Sequence, residues 1–418
     1  MKTILFQNFQ VFEGTKSRLR KIDVLIEGNQ IKKLLRPSKS NEKGVRKIIR
    51  GGGATLMPGL VNAHCHFTYA DATSLADITS LPVEENLLIT IKNLEKYLAH
   101  GFTSVIGMAS AKPRLEVVAR NAINSGQFHG PRILASTPEY TVTGGVGDDS
   151  RLYKHVPSIG IVCDGAAEFR KSIRQLIREG VDIVKFNNSG DSFTFGQVSG
   201  HVNPMTEQEV AAICETTLNL GKRLAAHSHT DSGVRQCLRY GVEFINHATF
   251  ATDKTIALLA KKKAKHWVIP AIAARFNTTY EASEWGITEK LAEQIGNKEE
   301  LLVGCQTMAK MHKQGIRVLP FGDYGFAWLP IGTDARDLEH MVALFGMKPW
   351  EALRAATAYG GEAWAGNSGT LIGQIKPNYL ADLIIIDGNP LENISLLQDQ
   401  NHILGVMKNG EFYRTPNM

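Results

Sequence analysis

Two histidines two residues apart, His64 and His66, have the type and spacing to bind a metal. They lie in a short apolar segment, 57–67, which begins with Pro58 and Gly59 and has the composition of a buried strand. Side chains two residues apart on a strand share a face, so both imidazoles could supply nitrogen ligands to one divalent ion. A pair of histidines packed in a core is the alternative, and this segment alone does not exclude it.

Four other strand-like segments also end in residues that suit metal chemistry. These residues are Lys185, the pair His227 and His229, His247, and Asp323. A charged amine directed into a core costs several kcal/mol unless it is paired or chemically changed, although a strand-end lysine can also extend to solvent. Imidazoles, one lysine and one carboxylate at five strand ends together predict a site for two divalent metal ions.

The elements that must position these groups are strands alternating with amphipathic helices, which indicates βα units and a parallel sheet. The predicted strands are 59–64, 102–108, 131–136, 181–186, 222–227, 242–246, 266–271 and 316–321. Eight such units fit an α/β fold of the (β/α)8 TIM barrel type, in which functional groups gather at the carboxyl ends of the strands. A doubly wound open sheet is the alternative, but Gly51-Gly52-Gly53 lacks the phosphate-binding spacing of that fold.

Short β-runs without helical periodicity occupy both ends of the chain. Because the ends of a domain commonly lie close together, these runs are predicted to pair in a small composite β-sandwich. The predicted domains are therefore the sandwich, built from residues 1–57 and 364–418, and the barrel at 58–363.

Composition excludes several classes of protein. The chain has 418 residues, 43% of them hydrophobic, and its net charge of +6 comes from 47 basic and 41 acidic residues scattered along its length. This scatter argues against nucleic-acid binding, and no run of about 18 apolar residues indicates a membrane span. The five cysteines have no paired spacing and the N-terminus has no signal-peptide pattern, so the sequence predicts a cytoplasmic protein.

Several segments together resemble the amidohydrolase superfamily over nearly the whole chain. They are PGLVNAHCH at 58–66, AAHSH at 225–229, INHATF at 245–250, and GQIKPNYLADLIIIDGNP at 373–390. Within that superfamily the chain is similar to the imidazolonepropionase-related branch, which contains Xaa-Pro dipeptidase-like and carboxypeptidase-like enzymes. This second similarity rests on TGG at 143–145, CDG at 163–165 and ARDLE at 335–339.

The resemblance implies a barrel with a composite sandwich, a homo-oligomer and two divalent metal ions, usually Zn²⁺. The implied metal ligands are His64, His66, Lys185, His227, His247 and Asp323. It also implies that Lys185 is N6-carboxylated, so that its carbamate bridges the two ions. As the catalytic residue, Asp323 would accept a proton from the attacking water and return it to the departing nitrogen.

Other residues near strand ends are predicted to contact a small-molecule substrate. The resemblance places His229 facing the substrate or behind a metal ligand. Arg132, Tyr140, Arg275 and Tyr324 are further candidates that could bind a substrate carboxylate. Arginines and tyrosines at such positions can equally be solvated or packed, and the sequence leaves that alternative open.

The predicted function is a binuclear metal-dependent hydrolase of C–N bonds, dipeptidase-like or carboxypeptidase-like, acting on dipeptides or N-acyl amino acids. The chain departs from its relatives at Asn62, where Asp is frequent, and at Val146 and Asn246, where many have His and Glu. A small amide, carbamate or cyclic amide is therefore the alternative substrate. A one-metal deaminase is disfavoured because Thr230 stands where those enzymes typically have Glu, and a non-catalytic assembly module is disfavoured because all six ligands are present.

Overall fold

Strands and helices alternate through the middle of the chain, and strands predominate at its two ends. The computed structural model describes residues 3–37, 44–153, 157–193 and 198–417. The strands are β1 (Thr3–Val11), β2 (Arg20–Glu27), β3 (Gln30–Leu35), β4 (Lys47–Arg50), β5 (Thr55–Pro58), β6 (Leu60–Cys65), β7 (Phe102–Gly107), β8 (Arg132–Leu134), β9 (Tyr140–Thr141), β10 (Ile161–Val162), β11 (Ile183–Asn187), β12 (Arg223–Ser228), β13 (Phe244–His247), β14 (Trp267–Ile269), β15 (Leu383–Ile386), β16 (Ile403–Lys408) and β17 (Glu411–Arg414). The α-helices are α1 (Leu75–Ser80), α2 (Val83–Ala99), α3 (Leu115–Asn124), α4 (Ala166–Arg178), α5 (Glu207–Asn219), α6 (Asp231–Tyr240), α7 (Asp253–Lys262), α8 (Ile272–Tyr280), α9 (Glu289–Gln294), α10 (Asn297–Lys313), α11 (Arg336–Phe345), α12 (Pro349–Arg354) and α13 (Gly360–Ala365).

The two ends of the chain meet in one sheet of eight strands. Its order is β17-β16-β15-β5-β1-β2-β3, with β4 paired to β1. β5 pairs antiparallel with β15, which joins the N-terminal strands to the C-terminal ones. Buried side chains from both ends, including Phe6, Leu56 and Leu383, form one apolar cluster on this sheet. The division into two domains at residues 58 and 363 stays a prediction.

Seven of the eight strands predicted for the central fold are strands in the structure. Strands β6, β7 and β8 form a parallel three-stranded sheet, and a second parallel sheet has the order β10-β9-β11-β12-β13-β14. A parallel bridge between Ser136 and Ile183 links the two sheets. The carboxyl ends of these strands therefore lie at one edge, which is where the predicted functional groups were sought.

The eighth predicted strand, 316–321, is irregular. Val318 makes a parallel bridge to Val268 of β14, but the segment 316–321 does not extend this bridge into a ladder. Pro320 has no backbone N–H, and Phe321 has a φ of 77°, which takes the chain out of the extended region. Within the part of the chain that the structure describes, no ladder joins this segment to β6, so backbone pairing does not close the sheet.

Side chains nevertheless connect the first of the eight segments with the last. One buried cluster contains Ala63, Ile106, Met108, Ile183, Ala225, Phe244, Trp267, Ile269 and Leu319. These residues come from β6, β7, β11, β12, β13, β14 and the segment 316–321. The strands thus share an apolar layer that lies beneath the polar groups at their carboxyl ends.

The helices of the central part of the chain bury apolar residues on one face. Helix α4 buries Phe169, Ile173 and Leu176, which repeat at helical spacing on one face. Helix α5 begins at a capping box, in which Thr206 and Glu209 each accept a hydrogen bond from the other's backbone N–H. Among the described residues, no helix is both long enough and apolar enough to cross a membrane.

Candidate metal centre

His64, His66 and Asp323 form a first group of potential ligands. The two histidines lie at the end of β6, and Asp323 follows the segment 316–321. Asp323 Oδ1 is 2.9 Å from His64 Nε2 and 3.0 Å from His66 Nε2. One ligand atom from each residue lies within 4.8 Å of the others. A divalent ion with ligands at about 2.0–2.2 Å can bind donors at such separations.

His227, His229 and His247 form a second group next to the first. Their ring centroids are 4.5–4.8 Å apart, and they offer nitrogens within 4.8 Å of one another. The group forms because β12 and β13 are paired neighbours whose carboxyl ends coincide. His247 Nδ1 is 4.0 Å from Asp323 Oδ2, so the carboxylate adjoins both groups.

The backbone at these strand ends is strained. His247 has a φ of 71° and Asp323 a φ of 60°, in the left-handed region that costs non-glycine residues about 1–3 kcal/mol. Gly322 has a φ of 144°, and a Cβ there would lie 2.7 Å from the Ala271 Cβ, so a side chain has no room. The tight turn through Gly322 places the Asp323 carboxylate against the β6 histidines.

Hydrogen bonding separates His229 from the other two histidines of its group. An Arg275 Nη2 lies 3.1 Å from His229 Nε2, and Thr249 Oγ1 lies 2.8 Å from His229 Nδ1. Arginine can only donate, so Nε2 is the acceptor and Nδ1–H donates to Thr249. Both nitrogens of His229 are therefore engaged, whereas His227 and His247 are better available to an ion.

Arg275 is a buried residue that contacts the site through His229. Its side chain is buried, its Nε is 2.7 Å from Glu300 Oε2, and its guanidinium stacks over the Phe193 ring at 4.4 Å. Ser192 Oγ donates to the same Glu300 carboxylate at 2.7 Å. These contacts fix the guanidinium that holds His229.

Lys185 and residues of both groups border one pocket. Its lining comprises His66, Tyr69, Leu75, Ile78, Glu139, Val146, Ile159, Lys185, Asp191, Phe193, His227, Asp323 and Phe326. Lys185 is 2% exposed and lies on β11, beside Ala225 of β12. The structure therefore brings the predicted lysine, histidines and aspartate to one end of the central sheets.

Burial favours the neutral form of His64, His227 and His247. It lowers the pKa of His64 to about 4 and that of His227 to about 3. The pKa of His247 is also well below its usual value, again chiefly because the ring is buried. Neutral imidazole is the form that binds metals.

The surroundings favour the neutral form of the Lys185 amine and the ionised form of the Asp323 carboxyl. Burial lowers the pKa of the Lys185 amine, against the nearby carboxylates of Glu139, Asp323 and Asp191. Burial alone would raise the pKa of the Asp323 carboxyl, but the adjacent imidazoles of His64 and His66 outweigh it and hold that pKa well below its usual range. The site thus favours an uncharged amine next to an ionised carboxylate.

The donor set fits divalent metal ions. Both ring nitrogens of His64 are buried and lack an aligned hydrogen-bond partner among the described residues, Nε2 in spite of its closeness to Asp323. Leaving such groups unsatisfied costs about 1–3 kcal/mol each, and a metal bond would remove that cost. Nitrogen and carboxylate donors in a buried group are the ligands that Zn²⁺ prefers.

We expect the metal-free protein to be acid-labile. His64 and His227 have folded-state pKa values of about 4 and about 3, below the ordinary 6.5, so the unfolded chain binds protons first. Their contribution to stability is present above pH 6.5 and is lost as pH falls toward those values, by up to about 1.4 kcal/mol per pH unit for each histidine. Urea unfolding of metal-free protein between pH 7 and 5 measures this, and His227→Asn should flatten the decline. Equal slopes in both proteins would contradict the assignment.

Asn62, which precedes the β6 histidines, is hydrogen-bonded to a carboxyl from another element. Asn62 Oδ1 accepts a hydrogen bond from the His64 N–H at 2.9 Å, and Asn62 Nδ2 donates to Asp334 Oδ1 at 2.9 Å. The Tyr97 hydroxyl also donates to Asp334 Oδ1, at 2.9 Å, and burial raises the pKa of Asp334 to about 7. Asn62 therefore connects the β6 histidine to a buried carboxyl before α11.

None of the five residues predicted to contact substrate lines the pocket. His229 and Arg275 contact each other, as described above, and the other three have partners elsewhere. Arg132 is at the start of β8 and pairs with Asp382 and Asn409 at the opposite end of the sheet. The Tyr140 hydroxyl is 3.0 Å from Ser172 Oγ on α4. The Tyr324 hydroxyl donates to the Asp334 carbonyl oxygen at 3.3 Å. Each of these side chains has a structural partner away from the pocket.

Two acidic residues that the sequence did not single out do line it. Glu139 follows the third strand, and burial raises its pKa to about 7. Asp191 lies beyond β11, with Oδ2 3.9 Å from His227 Nε2. The signal that could have found Glu139 is its place three residues beyond the predicted strand 131–136, at the same edge as the predicted ligands.

Comparison with known proteins identifies the family. The family model described as "Amidohydrolase family" matches residues 55–412. This chain belongs to the amidohydrolase family. That match spans the central sheets and strands β5, β15 and β16 of the terminal sheet, and it confirms the similarity inferred from the strand-end motifs.

Similar proteins include hydrolases and a deaminase. Ochratoxinase from Aspergillus niger is 26% identical over 392 residues, which cover 87% of this chain and 76% of that protein. A 5-methylthioadenosine/S-adenosylhomocysteine deaminase from Thermococcus sibiricus is 25% identical over 436 residues, covering 94% and 88%. The crystal structure of a Xaa-Pro dipeptidase with bound methionine matches with a TM-score of 0.85 at 24% identity, covering 99% and 100%, a likeness of fold.

Family membership and these relatives agree with the chemistry of the site. This protein is a metal-dependent hydrolase of C–N bonds. Its candidate ligands are the histidines and the aspartate of the two groups described above.

Proposed function

We propose that this amidohydrolase is a binuclear metal enzyme that cleaves the C–N bond of a small amide or peptide. The observation that carries the proposal is the closeness of two potential ligand groups, which share Asp323 at 2.9 Å from His64 and 4.0 Å from His247. A fold that closes as a (β/α)8 barrel is part of the proposal. It is supported by the apolar layer that connects β6 with Leu319.

In this proposal His64 and His66 hold one ion with Asp323, and His227 and His247 hold the other. Lys185, if N6-carboxylated, would join these ligands as a further anionic donor. The two ions, which we propose are Zn²⁺, would supply a water of lowered pKa and would polarise the substrate carbonyl. His229 stays behind His247, fixed by Arg275 and Thr249.

Asp323 moves the proton in this proposal. Its Oδ2 is the oxygen farther from His64 and His66, so it is the better placed to accept a proton from the attacking water. The same oxygen would return that proton to the departing nitrogen, which leaves as an amine. The strained backbone at Asp323 keeps the carboxylate in place through both transfers.

The proposed substrates are dipeptides or N-acyl amino acids, with other small amides, carbamates and cyclic amides as the alternative. The relative named ochratoxinase supports hydrolysis, and the apolar lining of the pocket suits an apolar substrate group. A one-metal deaminase is a second candidate because one relative is named a deaminase. Lys185 beside both ligand groups favours the two-metal reaction.

We further propose a cytoplasmic homo-oligomer. The cysteines Cys65, Cys163, Cys214, Cys237 and Cys305 are all free thiols in the structure. Free thiols are typical of a reducing compartment. Size-exclusion chromatography with light scattering would measure the oligomeric state.

We expect about two metal ions per chain. Six donors exceed what one tetrahedral ion can use. Five of the six proposed donors belong to the two adjoining groups, and Lys185 borders the pocket with them. Elemental analysis of purified protein, alongside turnover of dipeptides, N-acyl amino acids, carbamates and cyclic ureas, tests this. His227→Asn should retain about one ion, whereas His201→Asn, at an exposed histidine, should retain two. Full activity with only one tightly bound ion would favour the deaminase-like alternative.

A further inference from the structure

The pocket has an uneven distribution of charge. Its acidic lining residues are Glu139, Asp191 and Asp323. Lys185 is the only lysine among the described lining residues, and none of them is an arginine. The nearest buried guanidinium, Arg275, lies behind Phe193 and is bound to Glu300 and His229. If Lys185 is a metal ligand, none of the described lining side chains remains as a cation that could bind a substrate carboxylate.

Glu139 stands out among these acids. The residue is 7% exposed, and its Oε1 has no hydrogen-bond partner among the residues that the structure describes. Gly147 closes the wall next to it, because a Cβ at that glycine would lie 2.4 Å from Glu139 Oε1. An unsatisfied buried carboxylate oxygen is costly unless a ligand supplies a donor.

Apolar side chains cover most of the remaining wall. They are Tyr69, Leu75, Ile78, Val146, Ile159, Phe193 and Phe326. Phe193 and Phe326 stack with their ring centroids 5.6 Å apart, which gives a flat aromatic surface. A substrate that fills this pocket therefore has an apolar body and places a hydrogen-bond donor at Glu139.

We propose that Glu139 binds a primary ammonium group of the substrate, and that the enzyme acts on amides with a free amine and an apolar side chain. This inference rests on the proposed C–N hydrolysis and narrows its substrates. Aminoacyl amides and dipeptides with a free N-terminus belong to this class. N-acyl amino acids do not, because they have no ammonium group to place at Glu139.

The first test compares matched substrates. Leucine p-nitroanilide and its N-acetyl derivative differ only at the amine, and leucyl-phenylalanine and its C-terminal amide differ only at the carboxylate. We expect kcat/KM for the free amine to exceed that for the acetylated form by about 10- to 100-fold, the range of a charge-assisted hydrogen bond. Removing the carboxylate should not lower kcat/KM.

Variants assign this preference to one residue. Glu139→Gln should bring the ratio of kcat/KM for the free and acetylated substrates toward one. Asp149→Asn is the control, since Asp149 carries a charge near Glu139, accepts from the Ile159 N–H and does not line the pocket. An unchanged ratio in Glu139→Gln, or a wild-type preference for the acetylated or carboxylate-bearing substrate, overturns the inference.

A binding measurement keeps this test separate from the proposed hydrolysis. Calorimetry of the metal-loaded protein should show 2-phenylethylamine binding at least about tenfold more tightly than N-acetyl-2-phenylethylamine, with the difference lost in Glu139→Gln. Equal affinities contradict the role of Glu139, whatever the enzyme hydrolyses. A protein that selects the amine but cleaves no C–N bond contradicts the proposed function alone.

Discussion

Lys185→Ala is expected to lose both metal ions and nearly all hydrolytic activity. The side chain is 2% exposed, and an ammonium there would repel two divalent cations. Burial lowers the pKa of this amine, so a larger fraction is neutral and able to react with carbon dioxide. The carbamate then supplies two anionic oxygens, and alanine supplies none. Elemental analysis and turnover measure both losses.

Chemical rescue distinguishes a bridging carbamate from a packing role. A small carboxylate such as acetate should restore part of the metal content and activity of Lys185→Ala, because it can occupy the vacated position. Metal-stripped wild-type protein should recover faster when bicarbonate accompanies the metal. Lys222→Ala, beside the amino end of β12, is the control and should behave as wild type. Normal metal content and turnover in Lys185→Ala would show that the lysine is not a ligand.

Positions of the candidate ligands were predictable because a parallel sheet converts sequence into geometry. His64 on β6, Lys185 on β11 and His247 on β13 are far apart in the chain, yet each lies within two residues of the carboxyl end of its strand. Parallel ladders place those ends at one edge. Knowing the strand ends was therefore sufficient to predict which residues meet.

Roles of individual polar side chains were less predictable because they depend on tertiary partners. Arg132 is close in sequence to a strand end, but it is the first residue of β8 and binds Asp382 from the C-terminal part of the chain. Tyr140 points to Ser172 on α4. Period-two patterns give the face of a strand, and a two- or three-residue strand leaves that pattern too short to read.

The partner of Asn62 and the conformation of the segment 316–321 were also not predicted from the sequence. The sequence indicates that Asn62 lacks the carboxylate of its relatives, but only the fold brings Asp334 within 2.9 Å of it. The irregular segment 316–321 was predicted as a strand, and Pro320 and the positive φ of Phe321 prevented one. The contact of Asn62 joins residues 272 positions apart in the chain, whereas the irregularity of 316–321 is local.

Asp323→Asn is expected to fold normally and to lose about 10²- to 10⁴-fold in turnover, the contribution of a general acid-base group. Asparagine retains an oxygen that can bind a metal but cannot accept the proton. The adjacent imidazoles of His64 and His66 keep the wild-type carboxyl ionised, with a pKa well below its usual range although burial opposes them. The measurement is kcat on the best substrate at saturating metal, with metal content determined on the same samples.

Asp182→Asn is the matched control for this variant. Asp182 is a partly buried carboxylate that accepts from the Ala135 N–H at 2.8 Å and pairs with Arg120 at the amino end of β11, away from the ligand groups. Its substitution should lower stability and leave kcat nearly unchanged, because no reacting atom lies there. Wild-type turnover in Asp323→Asn with both metals bound would show that another group carries the proton. Loss of turnover accompanied by loss of metal would instead identify Asp323 chiefly as a ligand, and the two measurements on one sample separate these roles.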